Sequence, residues 1–156
     1  MLILFVCTGN TCRSLIAEQV ARRMIEERGL SGQVEVRSAG ISASSGGRAP
    51  ENTIRVLRQA GIDLTHHTTT PLDKEMVEEA DLILAMDQGH VERILNRFPT
   101  IKRKVFLLNE FAGLGKKEIL DPIGCSFEAY ETCLEQIRKG LLGIIERIRK
   151  GDLGGQ

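Results

Sequence analysis

The sequence predicts an α/β fold: a four-stranded parallel sheet with helices on both faces, a three-layer sandwich. Two observations carry this. Short unbroken apolar runs recur at residues 2–6, 82–86 and 105–108, as strands buried on both faces require. Between them lie stretches whose apolar residues recur three and four apart, the period of an amphipathic helix. Strands alternating with helices argue for a parallel sheet. In such sheets ligands bind past the carboxyl ends of the strands, so the chain just after Val6 is the first place to look for a site.

Leu2-Ile3-Leu4-Phe5-Val6 is the first strand. Ile16, Val20 and Met24, with Ala17, Ala21 and Ile25 beside them, form the apolar face of a helix that Gly29 stops. Residues 34–37 read as a short strand and 42–47 as a polar loop. Pro50 opens a helix whose core side is Ile54, Val56, Leu57 and Ala60, with Gly61 at its end. Residues 73–80 are a short helix and 82–86 a buried strand. Val91, Ile94, Leu95 and Phe98 mark a helix stopped by Pro99, and 105–108 is the fourth strand. A long loop over 112–125 carries Asp121-Pro122. The final helix is lined by Phe127, Tyr130, Leu134, Ile137, Leu141, Ile144, Ile145 and Ile148. One domain is expected over residues 1–150, with 151–156 a frayed tail.

Composition excludes several functions. Lys plus Arg is 21 and Asp plus Glu is 21, a net charge of zero and no basic nucleic-acid footprint over the whole chain. Aromatics are 4% and Trp is absent, so no row of base-stacking platforms exists. No apolar run is long enough to span a membrane. The apolar start has no positive residue before it and no small-residue cleavage site after it, so it does not read as a secretion signal. A cytoplasmic protein is expected, its four cysteines thiols and not a disulfide framework.

The chemistry sits in Cys7-Thr8-Gly9-Asn10-Thr11-Cys12-Arg13-Ser14, between the first strand and the first helix. N–H groups of such a turn converge on a tetrahedral anion. Gly9 and Asn10 tolerate the positive φ this needs. Arg13 offers a bidentate fork to two phosphate oxygens. The same positive setting favours the Cys7 thiolate, and Ser14 can donate to it. The plainer alternative, Cys7 as a small buried hydrophobe and Arg13 as a surface charge, does not account for their spacing in a strand-to-helix turn. A leaving group must also be protonated. Asp121, stiffened by Pro122, is the candidate acid, although Asp-Pro is also common turn chemistry.

Together with Ser38-Ala39-Gly40, residues 80–87 and Asp121-Pro122, this loop resembles the low-molecular-weight protein tyrosine phosphatases over nearly the whole chain. The resemblance implies a flavodoxin-like fold of the phosphatase I type, with Cys7 as nucleophile, Arg13 as phosphate clamp and Asp121 as general acid. Residues Thr8, Gly9, Asn10, Thr11, Cys12 and Arg13 would hold the phosphoryl group, or a phosphate or sulfate ion. Ser14, Ser38 and His66 would support the loop. Phosphorylated proteins are the implied substrates, and no metal or organic cofactor is implied. Thr11, where tyrosine-specific members carry a bulky aliphatic residue, and the missing aromatics after Asp121-Pro122 look like the bacterial protein-arginine phosphatase branch. Leu15 stands where the family usually has Pro. Cys12 either forms a reversible disulfide with Cys7, as the family allows, or merely packs. Cys125 and Cys133 read as structural, and Glu26-Glu27-Arg28 and Lys102-Arg103-Lys104 as solvated faces.

Three rivals share the scaffold. A tyrosine phosphatase differs only in the pocket wall. A thioredoxin-coupled arsenate reductase needs relay cysteines between Cys12 and Cys125, and there are none. A phosphoprotein-binding module would lack Cys7 or Asp121, and both are present.

Overall fold

The computed structural model describes residues 1–64 and 66–152 of the chain. Among these, four parallel strands, β1 (Leu2–Cys7), β2 (Glu35–Gly40), β3 (Leu82–Ala85) and β4 (Val105–Leu107), form one sheet in the order β2-β1-β3-β4. The helices are α1 (Arg13–Glu27), α2 (Glu51–Gln59), α3 (Lys74–Glu79), α4 (Gln88–Arg97), α5 (Leu108–Phe111) and α6 (Phe127–Arg149).

β1 lies at the centre, with Val6 paired to Ala39 of β2 on one side and Ala85 of β3 on the other. Its period of two sorts the core. Ile3, Phe5 and Cys7 face Ile16 and Val20 of α1 and Ile137 and Leu141 of α6. Leu4 and Val6 face Val77 of α3 and Val91 and Ile94 of α4. Apolar layers on both faces explain why β1 reads as an unbroken run and not an alternating one. Because the strands are parallel, the segments leaving β1, β2 and β3 meet at one end of the sheet.

Helix ends follow the glycine expectation. At Gly29 (φ 67) and Gly61 (φ 80) the chain turns left-handed, and the next residues, Leu30 and Ile62, donate back to Ile25 and Leu57. Three expectations change. Pro99 opens a 3-10 segment over Pro99–Lys104 as well as ending α4, because its fixed φ suits a first helical position. Leu108 belongs to α5 and not to the fourth strand. Lys104 is not simply solvated: its Nζ donates to the carbonyls of Glu78 (3.2 Å) and Ala80 (2.6 Å), closing the end of α3. The first two residues of the segment expected to fray are hydrogen-bonded to the end of α6. Gly151 and Asp152 donate to Ile148 and Arg147, and residues 153–156 lie outside the described residues. Among the described residues no helix is long and apolar enough to cross a membrane.

Candidate active site

The loop after β1 is held by its carbonyls. Those of Cys7 and Thr8 accept from the N–H groups of Ile41 and Ser42, each at 2.9 Å. That of Asn10 accepts from His67 Nε2 (3.0 Å), that of Thr11 from Thr53 Oγ1 (3.0 Å) and that of Cys12 from Ile16 N (2.8 Å). Among the described residues, no N–H of residues 8–12 donates to a protein acceptor. A turn with its carbonyls tied outward and its N–H groups unspent is a concave donor surface, the electrostatic complement of an oxyanion.

Asn10 shapes this turn. It is the one non-glycine residue with positive φ (57°) among the described residues, and it is fully buried. Thr70 N donates to its Oδ1 at 3.0 Å, which fixes the amide orientation. Its Nδ2 then donates to Ser14 Oγ (3.0 Å) and Ser38 Oγ (2.9 Å). Each serine, having accepted from Asn10, keeps its own proton to give. Ser38 donates to Glu18, and Ser14 lies 2.9 Å from Cys7 Sγ, placed to donate to a thiolate. Gly9, expected to share the positive φ, does not; a Cβ there would touch only the Thr11 side chain. The glycine the loop does require is Gly40 at the end of β2, where a Cβ would lie 2.7 Å from the Thr8 carbonyl and 2.8 Å from Asn10 N.

Arg13 is buried at the first position of α1. Its Nη1 donates to Asp87 Oδ2 (3.1 Å) and to the Ile119 carbonyl (2.9 Å), and its Nη2 lies 3.6 Å from Asp121 Oδ2. Ile119 N donates to the Met86 carbonyl at 2.8 Å, so the segment bearing Asp121 is anchored at the end of β3. Asp121 Oδ1 accepts from Ile123 N at 3.1 Å, and its carboxyl stays accessible. Cys7 thus meets Ser14 and Arg13 approaches Asp121, with Asn10 joining Ser14 to Ser38.

Other expectations shift. His66 is exposed; the histidine that meets the loop is its neighbour His67. Cys12 is buried in the core shared by α1 and α6, in which Cys133 is buried too. The adjacent Cys133 thiol and burial push the Cys12 thiol far above its ordinary range, which suits packing and not a reactive thiol. Leu15 is fully buried, so the residue at the usual proline position fills the core. Sequence reasoning missed Thr53, Asp87 as a partner of Arg13, and His90. His90 is buried, and its Nε2 lies 2.8 Å from Thr8 Oγ1. Asp87 followed by His90 has the spacing of a capping box, the one trace of this pair legible in the sequence.

A cysteine beneath a fan of unspent amides, flanked by an arginine and an accessible carboxyl, defines a cysteine-dependent phosphatase. The comparisons make the class specific. The family model "Low molecular weight phosphotyrosine protein phosphatase" matches residues 2–152, and the chain belongs to that family. It is 38% identical to a protein-arginine-phosphatase of Bacillus subtilis (strain 168), over 95% of this chain and 97% of that one. It is also 38% identical to the probable low molecular weight protein-tyrosine-phosphatase EpsP of Ralstonia nicotianae, over 94% and 95%. A solved structure of the arginine phosphatase YwlE, a cysteine-to-serine mutant with a phosphorylated active-site serine, superposes with a TM-score of 0.92 at 37% identity, covering 96% of this chain and 97% of that one.

Proposed function

We propose that the protein hydrolyses phosphoarginine on proteins in two steps. Cys7 thiolate attacks phosphorus in line, the P–N bond breaks, and Asp121 delivers a proton to the departing guanidine. Water then attacks the cysteinyl-phosphate, Asp121 takes its proton, and the P–S bond breaks to release phosphate and the thiolate. The N–H groups of residues 8–12 and the Arg13 guanidinium stabilise the equatorial oxygens in both steps. The balance needs no metal or organic cofactor.

The observation carrying this is the loop itself: carbonyls tied outward, amides unspent, and Ser14 at 2.9 Å from Cys7 Sγ. The phosphorylated serine of the YwlE mutant supports a covalent intermediate at the nucleophile. Three features support the arginine substrate: the small, partly polar Thr11, the absence of aromatics after Asp121-Pro122, and the similarity to the protein-arginine-phosphatases. Phosphotyrosine is the second reading, favoured by relatives that carry that name.

The test is kcat/KM on a phosphoarginine peptide against the same peptide bearing phosphotyrosine. Preference for phosphoarginine, a shift toward phosphotyrosine in Thr11→Ile and loss of both activities in Cys7→Ser are the expected results. Preference for phosphotyrosine in the unmodified chain overturns the substrate assignment, and turnover surviving in Cys7→Ser overturns the mechanism.

A further inference from the structure

His90, buried and outside the machinery described above, touches that machinery from a separate element. It occupies the third position of α4, whose N-cap is Asp87. Asp87 Oδ1 accepts from His90 N at 2.9 Å, and His90 Nδ1 accepts from Asp87 N at 3.3 Å. Since Nδ1 is the acceptor, the neutral ring carries its proton on Nε2. That proton points to Thr8 Oγ1, 2.8 Å away. The other oxygen of Asp87, Oδ2, holds Arg13 Nη1 at 3.1 Å.

One helical turn thus grips the anion loop at both ends, at its second residue and at its arginine. Thr8 is exposed and β-branched, so the hydrogen bond from His90 selects one χ1 and with it the placement of the adjoining backbone. Burial holds the His90 pKa down at about 4, so the neutral ring this geometry requires is the working form.

We infer that His90 is a positioning residue for phosphoryl transfer: through Thr8 and through Asp87 it fixes the separation of the two ends of the phosphate-binding loop. This rests on the phosphatase reading and adds to it a residue on α4 that touches no reacting atom.

The test uses the full chain with para-nitrophenyl phosphate as substrate and inorganic phosphate as competitive inhibitor. Thr8→Val removes the acceptor at an exposed position and is expected to raise KM and the phosphate inhibition constant about fivefold, the worth of one hydrogen bond. Thr8→Ser keeps the hydroxyl and should restore both constants. His90→Ala should lose at least as much, and adding Thr8→Val to it should change nothing further. Equal constants for Thr8→Val and the unmodified chain, or effects of the two substitutions that multiply, would overturn the inference. A His90 that merely stabilises α4 would lower the melting temperature of His90→Ala while leaving the Val and Ser variants of Thr8 alike. If the unmodified chain does not turn over the ester, the phosphatase reading fails. The same variants are then ranked by phosphate affinity in titration calorimetry, where the fivefold contrast between Val and Ser decides the positioning role.

Discussion

Replacing Asn10 asks whether one side chain stores the shape of the phosphate-binding loop. Asn10→Ala removes the donations to Ser14 Oγ (3.0 Å) and Ser38 Oγ (2.9 Å) and the acceptance from Thr70 N (3.0 Å). Each is worth about 1 kcal/mol net, so about 3 kcal/mol is at stake. Alanine must also hold the φ of 57° that Asn10 adopts, which adds about 1 kcal/mol. Asn10→Gly loses the same bonds but accepts that φ without strain, so it should fall about 1 kcal/mol short of the alanine variant's loss. Urea denaturation of the two variants separates bond loss from backbone strain. Function should suffer in both. Without Asn10, nothing commits the Ser14 hydroxyl proton to Cys7 Sγ, and kcat/KM on phosphoarginine is expected to fall roughly a hundredfold, as for a displaced anion-stabilising donor. Stability within about 0.5 kcal/mol of the unmodified chain, the range of an ordinary surface substitution, would refute the reasoning. So would retention of full turnover by Asn10→Gly.

Acid should destabilise the protein through His90. Burial holds its folded pKa at about 4 against 6.5 for the free group, so the folded chain binds fewer protons in that window. Stability therefore rises with pH from about 4 to 6.5, and falling through the window costs about 3 kcal/mol; urea midpoints should show a flatter slope in His90→Gln. Gly40→Ala should lower the melting temperature by the equivalent of about 1–3 kcal/mol and weaken phosphate binding, because its Cβ meets loop backbone that has nowhere to move; binding unchanged by calorimetry would contradict this. Asp121→Asn should lower kcat by about 100-fold or more with KM little changed, whereas Asp87→Asn should chiefly raise KM by loosening Arg13. Steady-state kinetics showing the reverse split would exchange the two roles.

What the sequence discloses and what it hides differ in range. β1, α1, the turn between them and the glycine stops at Gly29 and Gly61 depend on neighbours in the chain, so local periodicity reveals them. Cys7, Arg13 and Asn10 are legible for the same reason: one short turn holds all three. Asp121 is legible as a candidate acid from the Asp-Pro pair, but Ser38 and the histidine on the loop depended on the resemblance, and there the register of His66 and His67 slipped by one. The exposed, polar segment that carries them has no periodicity to set it. Thr53, Asp87 and His90 were missed because their meaning comes from contacts across 42, 74 and 82 positions of chain, made only when β1 pairs with β3 and α2 packs beside the loop. Gly40 was noticed as part of a motif, but its necessity appears only where β2 delivers it against the backbone of Thr8 and Asn10.

Two carboxylates approach the same guanidinium, and their surroundings differ in a way that suits the two proposed roles. Burial raises the proton affinity of Asp87, but the His90 N–H, the His90 ring and Arg13 outweigh it and hold the carboxyl below its ordinary value. A carboxyl so held stays ionised and does not serve as an acid near neutral pH; it serves as a fixed counter-ion that keeps Arg13 aimed. Asp121 has one intraloop hydrogen bond, from Ile123 N, and a looser approach of 3.6 Å to Arg13 Nη2, which leaves its carboxyl accessible from solvent. Its position is nevertheless set by the clamp. Arg13 Nη1 grips the Ile119 carbonyl two residues upstream, and Ile119 N is pinned to Met86. The stiffness that the sequence attributes to Pro122 is thus secondary. The residue proposed to bind the phosphoryl oxygens also ties down the segment carrying the proposed acid, so a substitution at Arg13 should disturb proton delivery along with binding.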